Sequence, residues 1–112
     1  MTRGKFYVAH KGGEIITVTG YTHTLLSSKG GVIGVGLYRP GWARCWYVTE
    51  RTSGLYICTG KTREDAISNA RAKADAVYYL MTEADKNPES GFRKARDRMS
   101  SYVKEQAEKP FE

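Results

Sequence analysis

The first sixty residues alternate short runs of β-branched and aromatic residues with turns that contain glycine. The runs cover residues 6–10, 15–22, 32–38, 42–49 and 55–59. Branched and aromatic side chains favour pleated strands. Turns as short as these join antiparallel neighbours, because a parallel pair needs a long crossover. The pattern predicts an antiparallel sheet of about five strands.

From Thr62 onward, apolar residues recur every three or four positions, which is the period of an α-helix. Residues 62–65 have the form of a capping box, in which the threonine accepts a hydrogen bond from a first-turn amide. Pro88 interrupts the helical pattern before a second helix, which is expected from about residue 88 or 90 to 106. The two apolar stripes consist of Ile67, Ala70, Ala74, Val77, Met81 and Ala84, and of Phe92, Ala95, Met99 and Tyr102 or Val103.

Together these patterns predict an α+β fold, an antiparallel sheet of about five strands followed by two C-terminal helices. A chain of 112 residues suits a single domain. We expect a sheet half in residues 1–60, a two-helix half in residues 61–108 and a frayed tail in residues 109–112.

Composition places the chain among globular proteins, with 40% hydrophobic and 27% charged residues. No apolar run approaches the ~18 residues that a membrane span requires. The first residues lack the apolar stretch of a secretory signal. We therefore expect a cytoplasmic protein with no membrane partner.

The two cysteines, Cys45 and Cys58, are too far apart in sequence for a CxxC pair. His10 and His23 lack the spacing of zinc ligands, so no metal site and no cofactor are predicted. A two-residue hairpin loop would place the cysteines opposite each other. A three-residue loop at residues 52–54, with Gly54 in the left-handed conformation, would offset them, and we favour the offset.

Two glycine-containing segments resemble nucleotide-binding motifs. Gly54 and the Gly60-Lys61-Thr62 triplet are separated by one residue too many for a P-loop, and the intervening residues look like a strand. Lys61 beside the free amides of a helix N-terminus is a candidate anion site; the alternative is an ordinary turn with an exposed lysine. Gly31, Gly34 and Gly36 lie within a strand, where glycine indicates a bulge or a close approach by another backbone, from a ligand or a second subunit.

No motif predicts catalysis. The chain has no Gly-x-Ser-x-Gly elbow and no local Cys–His pairing, and its carboxylates lie on helices at spacings typical of surface ion pairs. We therefore predict a protein that is not an enzyme and has no catalytic residues.

The net charge is +6 and is unevenly placed, with +5 in residues 1–60 and +1 in residues 61–112. A positive surface favours phosphate-bearing or acidic partners. The alternative is that the charge only keeps a small protein soluble.

Aromatic and basic residues alternate in residues 38–47. Alternation in a strand would place Trp42, Arg44 and Trp46 on one face. If that face is open, it resembles a base-stacking platform with a phosphate partner. If it faces the helices, the tryptophans belong to the core and Arg44 extends to the rim.

The last helix carries a second candidate site. Arg93, Lys94, Arg96 and Arg98 lie near Phe92, and guanidinium groups bind phosphate while an aromatic ring stacks a base. The alternative is a solvated helix face.

Two resemblances follow from these residues. The segment from Trp46 to Ala74, with its Gly-Lys-Thr-Arg-Glu-Asp-Ala turn into the helix, resembles the strand-to-helix junction of integrase arm-binding domains, which implies a sheet that reads DNA. The layout of a strand-rich half followed by helices with arginines on the last is similar to phage anti-defence proteins of the Thoeris anti-defence type. That resemblance implies a protein that sequesters a nucleotide signal in the host-cell cytoplasm.

The sequence therefore predicts a non-enzymatic binding protein for a phosphate-bearing nucleotide ligand, either a small signalling nucleotide or a nucleic acid. Two alternatives remain: a protein–protein inhibitor of a host system, of the anti-CRISPR type, and a sheet-type DNA-binding accessory domain. We also expect a homo-oligomer, because an alanine-rich stripe and several tyrosines leave apolar surface to cover. The candidate ligand-binding residues are Trp42, Arg44, Trp46, Lys61, Phe92, Arg93, Lys94, Arg96 and Arg98.

Overall fold

The computed structural model describes residues 1–108; the tail expected to fray lies outside them. The strands are β1 (Thr2–Ala9), β2 (Ile15–Leu26), β3 (Val32–Tyr38), β4 (Trp46–Glu50) and β5 (Tyr56–Gly60). They form one antiparallel sheet in the order β1-β2-β3-β4-β5. A 3-10 turn at Lys11–Gly13 joins β1 to β2. The helices are α1 (Arg63–Ala72), α2 (Ala74–Lys86) and α3 (Gly91–Glu108). The α+β fold with a five-stranded antiparallel sheet is thus confirmed.

The prediction of two helices is wrong, because the structure has three. The first predicted helix is divided into α1 and α2 by a break at Lys73. This residue has φ −102° and ψ 1°, its amide donates to the carbonyl of Ala70, and its ammonium donates to the carbonyl of Ile57 at 3.2 Å. Ala70 and Ala74 on either side of the break are both buried. The apolar period therefore runs through the break unchanged, and the sequence pattern gives no sign of it.

The predicted helix start at Thr62 is confirmed, since its hydroxyl accepts a hydrogen bond from the amide of Asp65 at 3.1 Å. α3 begins in the same way, with the hydroxyl of Ser90 accepting from the amide of Arg93 at 3.0 Å. Among residues 1–108, no helix is both long and apolar enough to cross a membrane.

The main core lies between one face of the sheet and the helices α1 and α2. Its buried residues alternate along the strands and follow the predicted helical stripe. They are Leu25, Ile33, Val35, Leu37, Val48, Ile57, Cys58, Ala66, Ile67, Ala70 and Ala74. Small alanines at the contact allow α1 to lie close to the sheet.

The first hairpin folds back over the opposite face of the sheet. β2 pairs with β1 through residues 15–22 and with β3 through residues 21–26. A side chain at Gly20 would collide with the carbonyl of Leu37, and one at Gly36 would collide with the ring of Phe6. Phe6 therefore lies over β3 on the face that α1 and α2 leave free.

The turn between β4 and β5 is built around a buried carboxylate. Glu50 is 1% exposed. Its oxygens accept hydrogen bonds from the amide of Thr52 at 2.8 Å, the hydroxyl of Thr52 at 2.6 Å and the amide of Ser53 at 2.9 Å. Gly54 then takes φ 72°, as predicted, and its carbonyl accepts from the amide of Ala9 at 3.0 Å. The turn thus joins the end of β1 to the β4–β5 hairpin.

The expected offset between the cysteines is confirmed. Val48 stands opposite Cys58, while Cys45 precedes the first residue of β4. Both thiols are free.

We predict that Glu50→Ala lowers the free energy of unfolding by about 2 kcal/mol, because the turn donors lose their acceptor. Urea denaturation measures the change. Glu14→Ala is the matched control, since Glu14 is exposed, and its effect should stay within about 0.5 kcal/mol. Equal effects of the two substitutions would contradict a structural role for the buried carboxylate.

Candidate functional site

Four aromatic rings form a continuous surface on the sheet face opposite α1 and α2; we call it the aromatic surface. It consists of Tyr38, Trp42, Tyr47 and Tyr56. Tyr47 is central, with ring centroids 5.7 Å from Tyr38, 5.9 Å from Trp42 and 6.1 Å from Tyr56. Three neighbouring strands and one loop therefore contribute to a single patch.

Strand alternation explains why these rings point away from the helices. Tyr38 follows the buried residue Leu37, and Tyr47 precedes the buried residue Val48. Both tyrosine side chains therefore emerge on the other face of the sheet. Trp42 is 78% exposed and Tyr56 is 61% exposed. Partial burial, and then the neighbouring Tyr47, raise the pKa of Tyr38 above its usual value. The Tyr38 hydroxyl therefore stays a neutral hydrogen-bonding group at physiological pH.

A groove of about 250 Å³ adjoins the aromatic surface. It lies between the first half of β2 and the loop that follows β3. Its walls are formed by His10, Ile16, Val18, Thr19, Tyr38, Arg39, Pro40 and Trp42. The groove thus extends the apolar part of the aromatic surface beyond the four rings. It also places a cation, Arg39, next to them.

The charge around the aromatic surface is positive. Arg39 and Arg44 are exposed, and neither forms an ion pair with any acid among residues 1–108. Residues 1–60 contain only two acids, and one of them, Glu50, is buried in its turn. Glu14 is therefore the single exposed acid on the sheet half, and the predicted excess of positive charge faces solvent.

The prediction that Trp42, Arg44 and Trp46 share one face of a strand is wrong. Residues 42–45 form a loop, and the strand begins only at Trp46. Trp46 packs on the core side, with its ring 5.9 Å from Tyr21 and 5.8 Å from the guanidinium of Arg63. Trp42 lies within a turn that the Ala43 amide closes by donating to the carbonyl of Pro40 at 3.0 Å, so strand alternation does not relate it to Trp46, and the two indoles lie on opposite faces.

The basic residues of α3 are mostly paired with acids. Arg96 binds Asp85 at 2.7 Å and Arg93 binds Asp97 at 3.2 Å. Lys94 lies 3.4 Å from Glu89. In the sequence, Asp97 is the one acid between Arg93 and Lys104, but α2 and the following turn bring Asp85 and Glu89 to this face in the folded protein. Arg93, Lys94 and Arg96 therefore hold α3 to its surroundings and are poor candidates for a phosphate site.

Phe92, proposed to stack a base, is 8% exposed, so its ring lies in the interior and is inaccessible to a ligand. Arg98 is exposed and lies beside Gly13, on the 3-10 turn, away from the other α3 cations. α3 thus offers neither the stacking ring nor the cation cluster that its sequence suggested.

Lys61 is exposed just before α1. The first turn of that helix already carries Glu64 and Asp65, and Thr62 caps the amide of Asp65. Two carboxylates at a helix N-terminus disfavour a further anion there. Lys61 therefore fits the alternative interpretation, an ordinary turn with an exposed lysine.

The strand glycines accommodate parts of this same chain. Gly36 leaves room for the ring of Phe6, and Gly31 leaves room for the ring of Tyr78 on α2. The expected close approach therefore comes from internal side chains at both positions. Gly34 is different: a side chain there would meet only Arg51, at 3.8 Å.

Within the described part of the chain, no group of three or more histidine, cysteine or acidic residues is placed to hold a metal ion. Burial raises the pKa of the Cys58 thiol, with Lys73 opposing it, so this cysteine is a poor nucleophile. The surface is suited to binding by stacking and by charge.

Comparison of the chain with protein-family models, with curated proteins and with solved structures finds no match in any of the three. The resemblance of the strand-to-helix junction to integrase arm-binding domains therefore stays a prediction. So does the resemblance of the overall layout to phage anti-defence proteins.

Sequence reasoning missed Tyr38, Tyr47 and Tyr56 as site residues. A signal was present for two of them, because Tyr38 and Tyr47 lie on either side of one loop and pair directly across β3 and β4, so that they face the same way. Tyr56 could not be placed by pattern, because a bulge near Thr49 and Val48 shifts the register of β5.

We predict that the two tryptophans respond differently to substitution and quenching. Trp42→Ala should change the free energy of unfolding by no more than about 0.5 kcal/mol and remove most of the fluorescence that acrylamide quenches. Trp46→Ala should lower the free energy of unfolding by about 2–3 kcal/mol, because its indole packs on the core. Equal quenching of both indoles would contradict the separation of the two faces.

Proposed function

We propose that the protein binds single-stranded nucleic acid on the aromatic surface. The observation that carries this proposal is the continuous set of four rings on the exposed part of this sheet face, beside two arginines that have no acidic partner among residues 1–108. Bases in a single strand expose their flat faces, whereas those in a duplex are stacked on one another. An open sheet with aromatic side chains is a recurring platform for such strands.

Stacking supplies the first part of the binding energy. Each base stacked on an aromatic side chain contributes roughly 1–3 kcal/mol and shows little sequence preference. Trp42 and Tyr56 are the most exposed rings of the surface, at 78% and 61%. They lie on either side of Tyr47, so they mark the two ends of a path that several bases can follow.

Phosphate contacts supply the second part. Arg39 and Arg44 belong to the same loop as Trp42 and have no acidic partner in the described chain. A free guanidinium binds phosphate oxygens without first breaking an ion pair. Arg93 and Arg96 of α3 would first have to leave Asp97 and Asp85, so the phosphate contacts are assigned to this loop instead of α3.

The biological role that fits such a binder is sequestration without catalysis. The layout resemblance to phage anti-defence proteins supports a counter-defence role in the cytoplasm of an infected cell. A homo-oligomer would extend the surface along a longer strand. Exposed Leu26, Val32 and Leu80 offer apolar contacts for self-association.

Removal of single rings tests the stacking path. Trp42→Ala and Tyr56→Ala should each weaken binding of a fluorescent oligodeoxynucleotide of about 12 residues by roughly 5- to 150-fold, with the folded state intact. Fluorescence anisotropy measures the affinity and circular dichroism the fold. Tyr79→Ala is the matched control, because Tyr79 is 62% exposed on α2. Unchanged affinity in both surface variants would refute the proposed site.

Salt dependence tests the phosphate contacts. The logarithm of the binding constant should fall linearly with the logarithm of the salt concentration, with a slope of about −0.7 for each phosphate contact on a single strand. Arg39→Gln with Arg44→Gln should make the slope shallower by about 1.4. Arg71→Gln, an exposed cation on α1, should leave the slope unchanged. A flat salt response of the unmodified protein would exclude binding through the backbone of the strand.

The rival function is inhibition of a host protein, favoured by the same exposed tryptophan and tyrosines, since these residues are enriched at protein interfaces. The two functions separate in one experiment. If oligonucleotides leave the protein's melting temperature unchanged across a wide concentration range, none of them binds the native state. The aromatic surface would then be assigned to a protein partner.

A further inference from the structure

We propose a second binding site, separate from the aromatic surface, that accepts a phosphate monoester carrying a flat, weakly polar group. The site is a groove between α3, β1 and the β4–β5 turn, and we call it the Arg51 groove. Two adjoining cavities of about 440 Å³ each form it. Both are lined by Arg51, Thr52, Met99 and Val103.

The Arg51 groove lies on the same sheet face as the aromatic surface but at the other end of β3. Tyr38 ends the strand within the aromatic surface, Gly36 is covered by Phe6, and Gly34 lines the groove. Phe6 thus divides this face into two. None of the four rings of the aromatic surface lines the Arg51 groove, so substitutions can test the two sites separately.

Arg51 is free to bind an anion because the neighbouring acid is turned away. The carboxylate of Glu50 points into the turn, where three donors from Thr52 and Ser53 satisfy it. Arg51 itself is exposed and makes no ion pair with an acid of residues 1–108. Its backbone is fixed, since its amide donates to the carbonyl of Gly34 at 2.9 Å.

A second free cation lines the same cavity. Lys5 is exposed and, like Arg51, has no acidic partner in the described chain. The charged residues of α3 at the groove are already engaged, Arg96 with Asp85 and Asp97 with Arg93. Two unpaired positive charges match the charge of a phosphate monoester, which is close to −2 near neutral pH.

The rest of the lining is apolar and determines what is attached to the phosphate. Val103 is 42% exposed on α3, whereas Phe6 and Met99 are 5% and 3% exposed and reach the groove only with the few atoms that line its floor. An apolar floor of this kind favours an uncharged, flat group at that end of the ligand. Cations on one side and an apolar floor on the other are the arrangement that binds a molecule with one charged end and one flat end.

Calorimetric titration with four probes tests the ligand class. AMP should bind more tightly than glucose 6-phosphate and at least tenfold more tightly than inorganic phosphate, and adenosine without phosphate should not bind. Equal affinity for AMP and inorganic phosphate would overturn the role of the apolar floor. Equal affinity for AMP and adenosine would overturn the role of the two cations, and no binding of any probe would overturn the site.

Substitutions on both sides of Phe6 assign the AMP site. Arg51→Gln should weaken AMP binding about tenfold or more, because a charge-assisted contact to phosphate is lost. Gly34→Val should block the groove, since a Cβ at Gly34 would already meet the Arg51 side chain at 3.8 Å. Valine favours strands, and circular dichroism checks that the variant stays folded. Trp42→Ala should leave AMP binding intact. If Trp42→Ala abolishes AMP binding and Gly34→Val does not, AMP binds the aromatic surface and the Arg51 groove is refuted.

Discussion

The contact of Phe6 with Gly36 is the constraint on which the exposed surfaces of the protein depend. A strand of β-branched residues has no room for a ring lying on its face, but a glycine removes the obstructing side chain. The first hairpin can therefore fold over a sheet whose other face is already covered by helices. Phe6 covers the middle of β3 and leaves both ends open, one aromatic and one basic.

Burial of a single acid determines much of the electrostatics. Glu50 would be the natural partner for Arg51, yet its carboxylate completes the β4–β5 turn by accepting from Thr52 and Ser53. Three hydrogen bonds from neutral donors offset the cost of removing the charge from water. The same interaction thus holds Gly54 against Ala9 and leaves the sheet half with free cations on its surface.

Pairing distinguishes cations that stabilise the structure from cations that can bind a ligand. The arginines of α3 are the most concentrated in the sequence, but Arg93 and Arg96 are neutralised by Asp97 and Asp85. Arg39, Arg44 and Arg51 are scattered through loops and turns, where acids are scarce. The density of charge along a chain therefore predicts a binding site poorly unless the acids that approach it in space are known.

The sequence alone determined the elements whose causes are local. Strand alternation, the Thr62 cap, the helical stripe and the left-handed Gly54 all follow from the side chains and backbone of neighbouring residues. Tertiary structure decided which residues form a surface. Trp42 and Trp46 are four positions apart yet lie on opposite faces, while Tyr47 and Tyr56 come together across a bulged strand pair. Turns and strand register set these relations. Both depend on contacts between residues that are distant in sequence, which no local pattern encodes.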